Sequence, residues 1–170
     1  MLDRDFMVVA KAIAFQGSEA NLLQDALLRT AIGRSYYALF HSLARCGADS
    51  LIGGDDSGRT DRAWRQTYRS LDHVETSRAC ERCVRDNATL GFPAPILTFA
   101  RLLPAAMRQR HLADYDPAYR PEAASVASLI SATDEAIKAL REAPLRDRRA
   151  FAAYVLFERG RRNVARDRSP

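Results

Sequence analysis

The stretch IGRSYYALFH, residues 32–41, lies at the centre of the longest helical repeat in the chain. Apolar and small residues recur here at the three- and four-residue spacing of an α-helix, and the same spacing extends in both directions. The pattern predicts one long helix over residues 19–52. The side chains predicted to face inward are Leu22, Leu23, Ala26, Leu27, Ala31, Ile32, Ser35, Tyr36, Leu39, Phe40 and Leu43.

Five further segments have helical periodicity, and turn signals separate them. They cover residues 8–15, 61–87, 95–115, 122–142 and 148–159. Pro104 lies inside the fourth of these six helices, which predicts a kink or a division into two helices. No segment alternates as a strand does. Long helices joined by short loops predict an all-α fold, an up-and-down antiparallel bundle of four to five main helices in residues 1–145. Residues 146–170 are predicted to form a short C-terminal helix and a basic tail.

Composition narrows the class of protein. A chain of 170 residues with 47% hydrophobic residues has the size and core of one globular domain. Its start lacks the pattern of a signal peptide, and its longest uncharged stretch, residues 87–100, is too short to span a membrane and contains two prolines. These features predict a cytoplasmic protein that is not inserted in a membrane.

The net charge of +5 is concentrated at one end. Residues 141–170 contain nine arginines and four acids, so the rest of the chain is neutral. A basic tail is typical of proteins that bind nucleic acid or another acidic partner. A solvated, frayed C-terminus is an equally simple interpretation.

The three cysteines argue against a disulfide framework because their number is odd. Cys80 and Cys83 form a CxxC pair that Cys46 and His73 would complete as a zinc site. The pattern lacks a second close pair of ligands, which favours reduced, half-buried thiols. The sequence therefore predicts neither a metal nor a cofactor.

The opening stretch also carries polar groups on a second helix face. Arg34, Tyr37 and His41 lie there because residues three, four and seven apart align. A guanidinium binds phosphoryl oxygens as a fork, and an imidazole exchanges a proton near neutral pH. One interpretation of this face is a site that binds a phosphodiester. The other is a face that packs on a neighbouring helix, in which His41 makes a structural hydrogen bond.

A second polar cluster is RQRHLADYDP, residues 108–117. Arg110 and Asp114 are four residues apart, as are His111 and Tyr115, so each pair is adjacent on a helix. A helix C-terminus with capping charges would look similar. If the ends of the second and fourth helices lie side by side, the two clusters line one groove suited to an RNA phosphate. The candidate catalytic residues are Arg34, His41 and Arg110, and the candidate binding residues are Tyr37, Arg108, His111, Asp114 and Tyr115.

The motifs RTAIGRSYYALFHSLARCGAD (29–49) and RHLADYDP (110–117) resemble those of the HEPN superfamily of small all-α domains. The segments FPAPILTFARLL (92–103) and AASVASLISATDEAIKAL (123–140) fit the same pattern. The resemblance implies a helical bundle that forms a homodimer. It also implies a metal-independent endoribonuclease of a toxin–antitoxin or phage-defence system, in which histidine moves the proton of a ribose 2′-hydroxyl and arginine stabilises the developing charge.

One feature departs from that family. Catalytic members of the HEPN superfamily carry, in a late helix, an arginine and then, after about four to six residues, a histidine. In this chain Asp114 and Tyr115 follow Arg110 where that histidine is expected. Arg34 and His41 have six residues between them, but on the earlier helix. The expected function is RNA binding, and RNA cleavage if Arg34 and His41, helped by Arg110, form a relocated site. The alternatives are a catalytically silent module that binds RNA, a nucleotide or a nucleotidyltransferase-type antitoxin, and a structural dimerising bundle.

Overall fold

The computed structural model describes the backbone of residues 2–14 and 21–166 and the side chains of residues 4–13 and 24–157. Within these ranges the chain forms α-helices and no strand, which confirms the predicted all-α helical bundle. None of the described helices is both long and apolar enough to cross a membrane. The helices are α1 (Leu2–Ala14), α2 (Asn21–Leu51), α3 (Asp61–Tyr68), α4 (His73–Arg85), α5 (Asn87–Leu90), α6 (Ala94–Tyr115), α7 (Ala123–Glu142) and α8 (Leu145–Arg166).

Helix α2 is the centre of the bundle and packs against α1, α3, α6, α7 and α8. Its apolar stripe is wide enough to contact several neighbours at once. The predicted inward positions are confirmed in its central turns, where Ile32, Tyr36 and Leu39 are at most 1% exposed. The predicted start near Glu19 lies outside the described residues. The buried side chains of α2 are Leu28, Ala31, Ile32, Ser35, Tyr36, Ala38, Leu39, Phe40, Ser42, Leu43, Ala44, Cys46, Ala48 and Ser50.

The prediction of one helix over residues 61–87 is wrong, because this segment forms three separate helices, α3, α4 and α5. The break before α4 has a local cause. Asp72 is the N-cap of α4, and its carboxylate accepts hydrogen bonds of 3.0 Å from the backbone N–H groups of Val74 and Glu75. An aspartate in this role satisfies helix donors that otherwise have no partner. The break turns the chain so that His73 begins a new helix beside α2.

Helix α6 runs without a break from Ala94 to Tyr115, so the predicted division at Pro104 is wrong. Pro104 is buried, and Phe99 and Leu103 on the same helix are fully buried. Proline removes one backbone hydrogen bond, and tertiary packing of the apolar face outweighs that loss here. The continuous helix places Arg110, in its last turns, beside Tyr36 and Tyr37 in the middle of α2.

Helix α8 is longer than the predicted helix over residues 148–159, because it begins at Leu145 and extends to Arg166. Its first half belongs to the bundle core. Phe151 is fully buried, and its ring meets the rings of Phe92 and Phe99 edge-on at centroid distances of 5.8 and 6.4 Å. The basic side chains of the predicted tail, from Arg159 onward, lie outside the described side chains.

All three cysteines are free and buried. Burial raises the pKa of each thiol, that of Cys83 to about 11, so the thiols are protonated at neutral pH. Among the described residues, no group of three or more histidine, cysteine or acidic side chains has the arrangement of a metal site. The alternative of a zinc site built from Cys46, Cys80, Cys83 and His73 therefore has no support in the described coordinates.

Candidate functional site

Rings from four helices meet along the polar face of α2. Phe6 comes from α1, four rings come from α2, Tyr68 ends α3, and His73 begins α4. Neighbouring rings lie at the centroid separations at which aromatic pairs attract each other. We call this set the ring cluster; its members are Phe6, Tyr36, Tyr37, Phe40, His41, Tyr68 and His73.

His41 is held between two rings of the cluster and is only half-buried. Its ring stacks on Phe6 at a centroid distance of 5.3 Å and on Tyr68 at 5.9 Å. The hydroxyl group of Tyr68 lies 2.8 Å from Nδ1 of His41, within hydrogen-bond distance. The imidazole is thus fixed in orientation without being sealed from water.

Arg110 reaches the cluster from the last turns of α6. Its Cζ lies 5.6 Å from the centroid of Tyr37, 6.0 Å from that of Tyr36 and 5.9 Å from that of Tyr115. These distances allow cation–π attraction. Among the described residues, its terminal nitrogens have no hydrogen-bond partner.

Asp114 holds the other end of the same guanidinium group. Its Oδ2 lies 2.6 Å from Nε of Arg110, yet Nε lacks the angle of a hydrogen bond, so we treat the contact as an ion pair. Burial works against the charge of Arg110, but Tyr37 and Asp114 outweigh it and raise the pKa of the guanidinium. Arg110 is therefore charged at any physiological pH.

Arg34 joins the cluster at Phe6, where its Cζ lies 5.4 Å from the ring centroid. Tyr37 contacts both His41 and Arg110. Its ring centroid lies 6.2 Å from that of His41 and 5.6 Å from Cζ of Arg110. The structure thus brings Arg34, His41 and Arg110 to one ring cluster.

Two of the predicted binding residues lie to the side of this cluster. Arg108 forms an ion pair with Glu81 of α4, at 2.9 Å between Nη1 and Oε1. His111 is exposed, and its ring lies 4.9 Å from that of Tyr115, which Arg110 also contacts. Arg108 and His111 also line a groove between α4 and α6 with a volume of about 500 Å³, together with Val74, Ser77, Arg78, Glu81, Met107 and Leu112.

His73, like Phe6 and Tyr68, is a member of the site that the sequence does not indicate, since the sequence suggests it only as a zinc ligand. Its Nδ1 lies 2.6 Å from the hydroxyl oxygen of Tyr36, and its ring centroid is 3.9 Å from that of Phe40. Burial lowers the pKa of His73, and the charge of Arg110 lowers it further, while Asp72 acts in the opposite direction. The only local signal was Asp72 followed three residues later by Glu75, the signature of a helix start.

Arg29 of α2 holds the end of α6 in place. Its Nη1 donates hydrogen bonds of 2.8 Å to the carbonyl of Ala113 and 3.1 Å to that of Asp116. Its Nη2 donates to the carbonyl of Tyr119, and its Nε to Asp25 at 2.8 Å. One guanidinium thus satisfies carbonyl groups at the C-terminus of α6 that have no partner within the helix. Through this contact α2 fixes the helix end that carries Arg110.

Comparison with protein-family models, curated proteins and solved structures gives no match for this chain. The resemblance to the HEPN superfamily therefore stays a prediction. The chemistry of the site is what indicates a function: two guanidinium groups, two oriented imidazoles and the exposed phenol of Tyr115 lie around one set of rings.

Proposed function

We propose that this protein binds RNA at the ring cluster and is a HEPN-type endoribonuclease that needs no metal ion. The observation that carries the proposal is the position of the Arg34 and Arg110 guanidinium groups, which lie over rings of one cluster. Each is supported by aromatic faces of the same cluster, and among the described residues neither offers its terminal nitrogens to a protein acceptor. Guanidinium groups oriented in this way bind the oxygens of a phosphate as a fork.

The local charge allows only modest affinity for a bound phosphate. Arg34 and Arg110 contribute two positive charges, and the carboxylates of Asp114 and, beside His73, of Asp72 offset them. This local charge does not hold a polyanion by itself, but the basic residues 141–170 add long-range attraction. RNA also exposes bases that stack on aromatic side chains, and Tyr115 is 64% exposed beside Arg110.

The reaction that fits these groups is transfer of the phosphate to the neighbouring ribose. The 2′-oxygen attacks phosphorus and gives its proton to His41, while the bond to the 5′-oxygen breaks and that oxygen takes a proton from water. The products are a 2′,3′-cyclic phosphate and a free 5′-hydroxyl. Arg34 and Arg110 stabilise the negative charge that grows on the phosphoryl oxygens during this step.

RNA binding is tested with a fluorescent single-stranded RNA in EDTA, by anisotropy at several salt concentrations. We expect Arg110→Ala and Arg34→Ala each to weaken binding about tenfold or more, because each removes a charged hydrogen-bond donor worth roughly 1.5–3 kcal/mol. The matched control is Arg101→Ala, since Arg101 is exposed on α6 and makes no hydrogen bond or ion pair with a described residue. Equal losses in all three variants would contradict a specific site and leave only general charge attraction.

Cleavage is tested by following the same RNA on a gel in EDTA. We expect the wild type to cleave it and His41→Ala to bind it with little change in affinity but without cleavage. Binding without cleavage by the wild type would assign the chain to the catalytically silent modules that bind RNA or a protein partner. No binding at low salt together with a stable dimer in sedimentation would leave the structural bundle as its role.

A further inference from the structure

The hydroxyl group of Tyr36 is an unusual feature of the ring cluster because it is buried and polar. Tyr36 is fully buried, and its hydroxyl has one described hydrogen-bond partner, Nδ1 of His73 at 2.6 Å. A buried hydroxyl that keeps its proton must donate it to an acceptor, since an orphaned donor is costly. Burial raises the pKa of Tyr36 far above its usual range, so the proton stays on the phenol.

This requirement fixes the tautomer of His73. If the hydroxyl of Tyr36 donates to Nδ1, then Nδ1 carries no proton and the neutral ring carries its proton on Nε2. Nε2 makes no hydrogen bond with a described residue and is not among the sealed polar atoms. His73 therefore presents a neutral N–H donor.

His73 lies in the neighbourhood of Arg110, since both side chains contact the same two rings and the charge of the guanidinium lowers the pKa of the imidazole. The ring of His73 has centroid distances of 5.7 Å to Tyr36 and 6.2 Å to Tyr37, the two rings that Arg110 also contacts. A guanidinium and a neutral N–H donor that share two supporting rings can bind two oxygens of one phosphate.

We propose that His73 is a phosphate-binding residue of the site, that its Nε2–H donates to a phosphoryl oxygen, and that Tyr36 is the positioning residue that sets this tautomer. The inference rests on the proposed RNA-binding function and adds a residue and a role to it. His73 does not act as the acid or base, because a proton added at Nδ1 would displace the hydrogen bond from Tyr36.

The charged and titratable groups around His73 agree with a neutral donor. Arg110 from α6 and the surrounding burial lower its pKa, whereas Asp72 at the start of α4 raises it to a smaller extent. Tyr36 and Tyr37 face it from α2, and burial keeps the proton on the phenol of Tyr36. The contribution of His73 to binding is therefore expected to stay constant between about pH 6.5 and 8, the range above the ordinary pKa of histidine.

Three variants and one spectrum test the inference. His73→Phe keeps a ring against Phe40 but removes both nitrogens, and we expect about tenfold weaker RNA binding. His73→Gln keeps an N–H donor and should recover part of the loss. Tyr36→Phe should weaken binding by a few-fold, and the double variant with His73→Phe should bind no more weakly than His73→Phe alone, because Tyr36 acts through His73.

The ¹⁵N spectrum of the histidines reads the tautomer directly and does not depend on RNA. We expect a protonated Nε2 and an unprotonated Nδ1 for His73 in the wild type, a mixture of tautomers in Tyr36→Phe, and a shift of the Nε2 signal when RNA is added. Urea unfolding of each variant confirms that it is folded.

Two results overturn the inference while the proposed function stands. One is RNA binding that Arg110→Ala weakens and His73→Phe leaves unchanged, and the other is a wild-type spectrum with the proton on Nδ1. A wild type that binds no RNA refutes the proposed function and this inference together, and the binding assay alone identifies that outcome.

Discussion

Replacing Arg29 is expected to destabilise the bundle far more than replacing an exposed arginine such as Arg120, because Arg29 bonds three carbonyl groups beyond its own helix. The side chain of Arg29 is only 19% exposed. A hydrogen bond to a charged group contributes roughly 1.5–3 kcal/mol, but water can reach carbonyl groups at a helix end once the side chain is gone. We therefore expect Arg29→Ala to lower the free energy of unfolding by about 2–4 kcal/mol rather than by the full sum.

The measurement is urea unfolding followed by circular dichroism, with Arg120→Ala as the matched control. Arg120 is exposed and donates only to the nearby carbonyls of Pro117 and Tyr119, so we expect a change within about 0.5 kcal/mol. Arg29→Lys should lie between the two because an ammonium cannot span three carbonyls as a fork. If Arg29→Ala unfolds at the same urea concentration as Arg120→Ala, the carbonyl contacts of Arg29 do not hold the end of α6.

Three further changes test other parts of the structure. Phe151→Ala should lower the free energy of unfolding by about 3–5 kcal/mol in the same urea assay, because it leaves a cavity beside Phe92 and Phe99; a change below about 1 kcal/mol would mean that α8 is not part of the core. Removing residues 158–170, with five arginines and two acids, should leave the urea midpoint unchanged and reduce the salt dependence of RNA binding, and an unchanged salt dependence would exclude that segment from the interface. Folding lowers the pKa of His73, so its imidazole binds a proton more tightly in the unfolded chain than in the folded one. The free energy of unfolding should therefore be highest above about pH 6.5 and decrease as the pH falls. His73→Phe should make the free energy of unfolding less dependent on pH, as measured by urea unfolding between pH 5.5 and about 7.5.

The long central helix could be predicted because one physical rule determines it. Ile32, Tyr36, Leu39 and Leu43 recur at helical spacing, and all four are buried against neighbouring helices. Pro104 does not divide α6, since propensity is a weak guide when a buried face holds the helix together. Phe151 was assigned only to a short terminal helix, because a helix at the end of a chain gives no local sign of what it packs against.

The candidate site could be predicted in part. Arg34, Tyr37 and His41 share one face of one helix, so their proximity follows from helical spacing alone. That Arg110 would join them required the relative placement of α2 and α6, which the sequence only suggested. His73 contacts Tyr36 only because the chain breaks before α4. One continuous helix over residues 61–87, as the sequence predicted, would have placed His73 elsewhere.

Asp114 links these observations, because it occupies the region of the late helix in which the HEPN pattern has a histidine. Its carboxylate lies 2.6 Å from Nε of Arg110, where it orients the guanidinium and offsets its charge. A carboxylate paired with a guanidinium does not replace an imidazole, so under the proposed function the imidazoles come from elsewhere. The structure supplies them from α2 and α4, one held by Tyr68 and the other by Tyr36. Under the proposed function the two imidazoles divide the work: His41 exchanges the proton, and His73 remains neutral and donates to the phosphate beside Arg110.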